Sequence, residues 1–420
     1  MVARPQSPGA MDVVIVGGGP AGATTALAFA HAAPELVHRV VVLEKERYPR
    51  DKPCAGALGG RGDALLRDVD VEVDVPSVTV DGVSLRCSSG EAVAAPGRIG
   101  RVVRRIEFDH ALVRAAARRG VAVRDGVRVL GVRAREGGGA VVETSEGEIH
   151  AGAVVGCDGV GSVVRRAMGV GPGALRAQVV EVDTEPLPAD RDRSLIHFDA
   201  SDRRVTGYAW DFPTIVAGRA LVCRGVYRLR LGDAAEPDVA ALLDERLRAL
   251  GVDPAGCSKK RYAERGFEPA TRLAAGAMML AGEAAGVDPA TGEGIAQAIE
   301  YGVLAGRYLA SRSRAGAGAP AGVDDWSRVV SRSRLARDLR IRTSLVRLFF
   351  GRHRLRLERL LTRRPDMLHV GCEHFAAMPH DWRRVGRLAL QAAEAFLRAP
   401  VLGYGDSRLS MRGNGIVSRT

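Results

Sequence analysis

The chain has 420 residues, a net charge of +12 and a hydrophobic fraction of 46%. These values predict a folded protein of two or three domains and exclude a chain that is too polar to bury a core. Its six cysteines are scattered without CxxC pairs or histidines at metal spacing, so they indicate neither a disulfide framework nor a zinc site, and without a convincing signal peptide we expect a cytoplasmic protein.

Residues 1–10 are predicted to be a disordered leader, and the uncharged stretch "VVIVGGGPAGATTALAFA" follows from Val13 to Ala30. A β-branched run, a cluster of glycines and a run of good helix formers predict a strand, a tight turn and a helix. The alternative is a secretory or membrane segment. Three consecutive glycines followed by Pro20 argue against it.

The predicted turn contains the pattern Gly17-x-Gly19-x-x-Gly22. In a dinucleotide site the first glycine permits the turn, the second lets the backbone approach a pyrophosphate, and the third lets helix and strand pack closely. A second strand, Val40–Leu43, ends at Glu44, which is placed to bind ribose hydroxyls. An acid here suits the unphosphorylated ribose of FAD or NAD.

The dinucleotide unit extends from Met11 to about Leu66, and residues 68–96 alternate apolar and polar residues as strands do. The segment "RIEFDHALVRAAARRG" predicts a helix that Gly120 ends. A meander of short strands follows; it includes Val129, a further candidate for cofactor binding, and ends in the strand Ala153–Gly156.

The rest of the chain predicts a strand-dominated block with one helix, "DVAALLDERLRAL", and then a strand, a loop and a long helix before the linker "RAGAGAPAG". We therefore predict an α/β fold in which a discontinuous, Rossmann-type cofactor domain is interleaved with a sheet-based substrate domain. The predicted domains are the cofactor domain at 11–75, 100–175 and 271–315, the substrate domain at 76–99 and 176–270, and a mainly helical region at 322–420.

Many arginines are interleaved with leucines and other apolar residues in the C-terminal segment "RSRLARDLRIRTSLVRLFFGRHRLRLERLLTRR", from Arg332 to Arg364, which has only two acids, Asp338 and Glu358. We favour a helical cap that packs on its own protein and leaves a solvated basic face. The alternative is peripheral association with a membrane or a partner. Nucleic acid is disfavoured because no nucleic-acid motif accompanies the charge.

Five further segments occur in the order expected of one enzyme family: "DKPCAGALGG", "RRIEFDHAL", "GCDGVGSVVRR", "GYAWDFP" and "LAGEAAGVDPATGEGIAQAIEYG". With the fingerprint, they resemble the FAD-dependent oxidoreductases that include the geranylgeranyl reductases, within the superfamily shaped like para-hydroxybenzoate hydroxylase. The resemblance spans residues 11–310. It implies bound FAD, with NADH or NADPH as the electron donor.

The resemblance assigns roles to particular residues. Arg105 would contact the cofactor, Asp158 belongs to the Asp-Gly segment, and Glu283 stands where the reductases have an aspartate that holds the ribityl hydroxyls. Ala55 replaces a family glycine, which narrows the backbone freedom beside the flavin. The full set of cofactor candidates is Gly17, Gly19, Gly22, Glu44, Arg105, Val129, Asp158, Glu283, Gly292 and Gly294.

The loop at residues 288–294 suits a flat ring, because Gly292 and Gly294 let the backbone pass close to it. The helix that begins at Ile295 would direct its N-terminal N–H groups toward the ring carbonyl, where negative charge collects on reduction. The alternative is an ordinary turn into a helix.

Two reactions fit the resemblance, both on a hydrophobic small molecule that we expect to be isoprenoid. The first is reduction of its double bonds. The alternative is a monooxygenase that hydroxylates or epoxidises through a C4a-hydroperoxide. The segment around Cys54 favours the reductase, while a non-enzymatic flavoprotein or prenyl-carrier protein is a third class. Halogenation is disfavoured because the halogenase segments are missing.

Cys54 is the candidate catalytic residue, as a group that positions substrate or relays a proton, but it could equally be a small packing residue beside the ring. Tyr208, Trp210 and Phe212 are candidates for an apolar substrate wall. Because they alternate along a strand, we expect some of them to face away from the site.

Overall fold

The computed structural model describes residues 10–190, 194–231, 237–315, 322–379 and 381–398. Most of the predicted leader and of the predicted linker lies outside the described residues, as does the end of the predicted helical region, 399–420. Strands and helices are numbered below in chain order.

The first sheet has a parallel core in the order β17-β18-β11-β1-β2-β8, where only β17 runs antiparallel to its neighbour, and an antiparallel extension through β10 and β9. This is the predicted α/β class, which is confirmed. Its strands are β1 (Ala10–Val16), β2 (Val40–Glu44), β8 (Ala122–Asp125), β9 (Val129–Ala134), β10 (Ala140–Thr144), β11 (Gly147–Gly156), β17 (Ala274–Ala275) and β18 (Met278–Leu280).

Five helices accompany this sheet. They are α1 (Pro20–Ala32), α2 (Gly60–Arg67), α3 (Arg105–Arg118), α4 (Val163–Ala167) and α6 (Ile295–Ala315). Helix α1 begins at Pro20, a residue suited to a first helical turn, and packs against α3 and α6. The segment Val13–Ala30 carries no charge because the strand, the turn and the helix are almost wholly buried.

A second sheet has the order β16-β12-β15-β14-β13-β5-β6. One face packs on helix α5 (Val239–Ala249), and the other faces the C-terminal helices. Its strands are β5 (Gly82–Cys87), β6 (Gly90–Ala94), β12 (Arg176–Thr184), β13 (Leu195–Asp199), β14 (Gly207–Val216), β15 (Arg219–Arg230) and β16 (Lys260–Arg265). A third sheet, β3-β7-β4, contains β3 (Ala57–Gly59), β4 (Ser77–Val80) and β7 (Gly100–Val103).

The strand prediction for residues 68–96 is wrong at its beginning, because residues 68–76 form a turn and an irregular segment. Val69, Val71 and Val73 are buried against the main core while Glu72 and Asp74 face solvent. The alternation therefore records one buried face. Without a neighbouring strand to pair with, that pattern does not produce a ladder.

The C-terminal region is helical, as predicted, over its described residues. It contains α7 (Trp326–Arg332), α8 (Arg334–Phe349), α9 (Arg354–Arg363), α10 (Pro365–Phe375) and α11 (Trp382–Arg398). Leu335, Leu339 and Val346 on the inner face of α8 are buried, and Trp326 Nε1 donates to the Leu280 carbonyl at 2.8 Å. The region thus packs on its own protein. None of the described helices is long and apolar enough to cross a membrane.

Candidate active site

The glycine fingerprint forms a turn whose shape depends on the missing side chains. Gly17 has φ +98°, and a Cβ there would lie 2.5 Å from the Cys157 carbonyl oxygen. A Cβ on Gly22 would lie 1.9 Å from the Gly17 carbonyl oxygen. Gly19 is the N-cap of α1 and no side chain caps the helix, so its first N–H groups face an open space suited to phosphate.

Two arginines flank this helix terminus. Arg105 makes two hydrogen bonds to the buried Asp109, each 2.7 Å long, and Arg50 donates to the same carboxylate at 2.9 Å. A Cβ on Gly19 would lie 3.6 Å from Arg105 Nη2 and 3.8 Å from Arg50 Nη2. The sequence indicates Arg105 but misses Arg50, for which the only signal is a basic residue just before the "DKPC" segment.

The Glu44 carboxylate is buried at the end of β2. Its Oε2 accepts from the Gly18 amide at 3.0 Å and from Arg50 at 3.2 Å, and its Oε1 accepts from the Glu46 amide at 3.2 Å. A carboxylate has about four acceptor positions, so about one remains for a ribose hydroxyl. Val129 lines the same end of the cavity.

Asp158 supplies an open acceptor beside the fingerprint turn. Its Oδ2 accepts from the Val163 amide at 2.6 Å, while Oδ1 is buried and has no hydrogen-bond partner among the described residues. Burial raises the pKa of this carboxyl. Such an orphaned atom calls for a donor from a bound molecule. The uncapped helix, the paired arginines and the two carboxylates together fit FAD.

Glu283 and Ala55, the two residues that depart from the family pattern, lie in different structural settings. Glu283 lies in a single 3₁₀ turn, Gly282–Ala284, and its Oε2 pairs with Lys52 Nζ at 3.0 Å across the cavity. Ala55 needs no special backbone conformation, because the left-handed position falls on Gly56, with φ +85°.

The loop at 288–294 is held by its own hydrogen bonds and by a residue of the C-terminal region. Asp288 accepts from the Ala290 amide at 2.7 Å and from Thr291 Oγ1 at 2.6 Å. Arg342 of α8 then pairs with Asp288 at 2.5 Å and with Glu293 at 3.0 Å. No sequence motif marks Arg342, which ties the loop to α8.

Gly292 and Gly294 line the cavity directly before α6 begins. A Cβ on Gly292 would lie 3.2 Å from Tyr208 Oη and 3.4 Å from Glu264 Oε2. The loop and the second sheet therefore meet at this glycine, which is where the resemblance places the flavin ring.

Tyr208, Trp210 and Phe212 all line the cavity, so the expectation that some of them face away is wrong. Positions two apart on a strand share a face of the sheet. Tyr208 stacks on Tyr227 with ring centroids 5.1 Å apart and donates to the Thr291 carbonyl at 2.5 Å. Trp210 and Phe212 are buried beside it and extend an apolar surface.

Two buried acids on the second sheet were missed by the sequence, since no motif marks them. Glu264 lines the cavity and its Oε1 has no partner among the described residues. Burial raises its pKa well above the usual range, and the nearby Glu283 and Asp288 raise it further. Glu181 accepts from the Cys54 amide at 2.9 Å, and burial raises its pKa to about 7. Cys54 itself lines the cavity, and burial raises the pKa of its thiol.

One continuous cavity of about 1500 Å³ connects these groups. It extends from the fingerprint turn, past the loop and the second sheet, to the C-terminal helices. The wall that these helices contribute is largely apolar and includes Ile341, Leu345, Phe349, Leu361, Met367 and Phe375. A single ligand site usually measures about 300–1,000 Å³, so this volume can hold a cofactor and an apolar molecule together.

Comparison with known proteins agrees with this geometry. Residues 10–336 match the FAD binding domain family. The digeranylgeranylglycerophospholipid reductase of Methanothrix thermoacetophila is 30% identical over 325 residues, which cover 73% of this chain and 79% of the relative.

Two solved structures share the fold at lower identity. A geranylgeranyl bacteriochlorophyll reductase-like protein from Thermoplasma acidophilum has a TM-score of 0.61 at 20% identity, covering 93% of this chain and 97% of that one. An anhydrotetracycline hydroxylase from Streptomyces rimosus has a TM-score of 0.61 at 21% identity, covering 89% of this chain and 78% of that one.

The family match spans most of the chain, and the reductase relative is similar across the same region. The site geometry fits the cofactor that the family name specifies. The chain is therefore an FAD-dependent oxidoreductase and belongs to the FAD-binding family that includes the geranylgeranyl reductases.

Proposed function

We propose that this protein reduces carbon–carbon double bonds of a hydrophobic, isoprenoid-bearing small molecule, with NADH or NADPH as the source of electrons. The observation that carries the proposal is the shared cavity. The groups that fit FAD, around the fingerprint turn, open directly into an apolar part of the cavity, the chamber, which is lined by Tyr208, Trp210 and Phe212 and by the apolar side chains of α8 to α10. When bound and reduced, FAD would supply a hydride to one alkene carbon, and a residue of the protein would have to deliver a proton to the other.

The chamber suits a long apolar chain better than a polar metabolite. The aromatic face of the second sheet lies opposite the apolar side chains of α8 to α10. The burial of hydrocarbon against these walls stabilises the complex by about 25 cal/mol per Å² of apolar surface. Tyr208 and Glu264 of the second sheet meet the loop at Gly292, so these polar groups would face one position on the chain.

Glu264 is the best placed proton donor. It is buried, it lines the cavity beside Gly292, and burial raises the pKa of its carboxyl well above the usual range, which favours the protonated form. Cys54 is the second donor candidate, because burial keeps its thiol protonated too. Glu181 does not line the cavity and contacts Cys54 through the backbone, so we assign it a positioning role.

The test is a single turnover without oxygen. The FAD-loaded protein is reduced anaerobically by NADPH or NADH and mixed with geranylgeranyl compounds. We expect the flavin to be reoxidised and the product to contain fewer double bonds than the substrate. Reoxidation that requires oxygen and yields a hydroxylated or epoxidised product would assign the monooxygenase alternative instead. Failure of both nicotinamides to reduce the flavin would support a non-enzymatic flavoprotein.

The proton donor is tested in deuterated water on the same reaction. Relative to the wild type, Glu264→Gln is expected to form product about a hundredfold more slowly, which is the usual scale for loss of a general acid. The rate of hydride transfer from the flavin should also fall. Cys54→Ala is the comparison variant. If Glu264→Gln reacts like the wild type and Cys54→Ala does not, the thiol is the donor.

A further inference from the structure

The outer face of α8 exposes a second apolar stripe. Ile341, Leu345 and Leu348 recur at helical spacing and are 53%, 53% and 42% exposed. A surface helix normally has one apolar stripe, which faces the core, and α8 already buries such a stripe on its inner side. On α11, Trp382 is 73% and Leu390 is 74% exposed.

Four of these five side chains lie where the cavity meets solvent. Ile341, Leu345, Leu348 and Trp382 are cavity-lining residues as well as exposed ones. Among the residues whose burial is described, the other exposed large hydrophobic side chains lie away from α8 and α11: Val93, Leu130 and Leu231. Clustered exposed hydrophobic residues mark interaction sites, whereas single ones do not.

The same two helices also carry exposed arginines. Arg337 and Arg347 on α8, and Arg383 and Arg387 on α11, are exposed, and none of the four has an acidic partner among the described residues. Apolar side chains flanked by arginines are typical of helices that lie in a membrane interface. A second copy of this chain would bring like charges together, so the charge favours an anionic partner over self-association.

We propose that the outer faces of α8 and α11 form a lipid-docking surface for an anionic bilayer, defined by Ile341, Leu345, Leu348, Trp382 and Leu390. The arginines then lie among the lipid headgroups and the mouth of the cavity opens toward the acyl chains. An isoprenoid chain could pass from the bilayer into the chamber without crossing water. Docking needs no turnover, so it is independent of the proposed reaction.

Vesicle binding by the full-length, FAD-loaded protein tests the proposal. We expect it to float with vesicles of equal phosphatidylcholine and phosphatidylglycerol, and much less with phosphatidylcholine alone. High salt should weaken the binding because it screens the arginines. Trp210 and Trp326 are buried, so a blue shift of tryptophan emission on binding would report Trp382, and Trp382→Phe should remove it.

A matched pair of variants distinguishes binding through this stripe from binding through exposed hydrophobic residues in general. The double substitution Leu345→Ser with Leu348→Ser should weaken partitioning by about tenfold per leucine. The control, Leu130→Ser with Leu231→Ser, alters two exposed leucines elsewhere and should bind like the wild type. Flavin absorbance and far-ultraviolet circular dichroism establish that both variants are folded.

Three results would overturn the proposal. The protein could bind neither kind of vesicle, or the stripe variant could bind as tightly as the control. In the third, light scattering without lipid would find a dimer that Leu345→Ser with Leu348→Ser dissociates, and the stripe would then be an interface between copies of this chain.

Discussion

At the dinucleotide end of the cavity, short segments of chain impose the geometry through backbone shape and paired charges, whereas at the chamber end the wall comes from helices that no motif marks. The fingerprint turn depends on Gly17 and Gly22, and Asp109 fixes two arginines. The chamber wall depends on apolar contact between α8 to α10 and the second sheet.

This difference shows which kinds of structure can be predicted from a sequence motif. A backbone that must approach a phosphate closely tolerates few residue types, so its pattern is specific. A wall of leucines tolerates many exchanges of similar volume, so its pattern is general. The predictions below probe the two ends, beginning with the largest expected effect.

Asp109→Ala should cause the greatest loss of stability, because it leaves Arg50 and Arg105 without their buried carboxylate. We expect the free energy of unfolding to fall by about 3–5 kcal/mol, measured by urea denaturation. Glu35→Ala, which removes the exposed pair with Arg314, is the control and should have a much smaller effect. Equal effects would mean that the buried charges at the dinucleotide end contribute no more to the free energy of unfolding than an exposed ion pair does.

Leu339→Ala tests the packing of α8, the helix that contributes part of the chamber wall, against the main core. Leu339 is fully buried on the inner face of α8, and its truncation should cost about 2–5 kcal/mol in the same urea experiment. Leu345→Ala on the outer face of the same helix should stay within about 0.5 kcal/mol of the wild type. If the two variants unfold alike, α8 does not pack as described.

Glu181→Gln tests the acid behind Cys54 through its pH dependence. The pKa of Glu181 is about 7 in the folded protein and its ordinary value is 4.5. The neutral form is therefore favoured by folding, so its stabilisation is complete below about pH 4.5 and is lost as the pH rises through about 7. That loss is roughly 3 kcal/mol, and Gln should abolish it.

The measurement is the free energy of unfolding at about pH 5 and about pH 8, where the wild type should lose more stability than Glu181→Gln. Glu185→Gln, at an exposed glutamate nearby, is the control and should follow the wild type. A wild type and a Glu181→Gln variant with the same pH dependence would refute the raised pKa.

The smallest effect on this scale is expected for FAD binding by Glu44→Ala. Loss of a hydrogen bond to a charged group costs about 1.5–3 kcal/mol, which weakens FAD binding roughly tenfold to a hundredfold and allows FAD to dissociate during purification. Titration of the apoprotein with FAD measures this change. Glu46→Ala, at the exposed neighbour, should retain FAD. A Glu44→Ala variant with full affinity would exclude the ribose assignment.

The α/β class, the family and the cofactor could be predicted from the sequence, because the fingerprint and five ordered segments each specify a local backbone shape. Glu264, Glu181 and Arg342 could not. Each is a single charged residue whose setting arises only when strands or helices from distant parts of the chain pack together. Arg342 lies 54 positions from Asp288, for example.

Alternation was the least reliable pattern in the sequence. Val69, Val71 and Val73 alternate because one side of an irregular segment is buried, while Tyr208, Trp210 and Phe212 alternate because they share one face of a strand. The spacing of apolar residues along the chain indicates which side chains are buried. Only hydrogen bonding to a neighbouring strand distinguishes a strand from an extended loop.

The salt bridges of Arg342 have a thermodynamic consequence that links the two ends of the cavity. The loop at 288–294 and helix α8 share these contacts, so a ligand that orders the loop also favours the docked position of α8. Linkage is reciprocal, and whatever steadies α8 therefore strengthens binding at the loop by the same free energy. If the flavin ring lies at this loop, as the resemblance implies, FAD would also stabilise helices that are far from the fingerprint in the sequence.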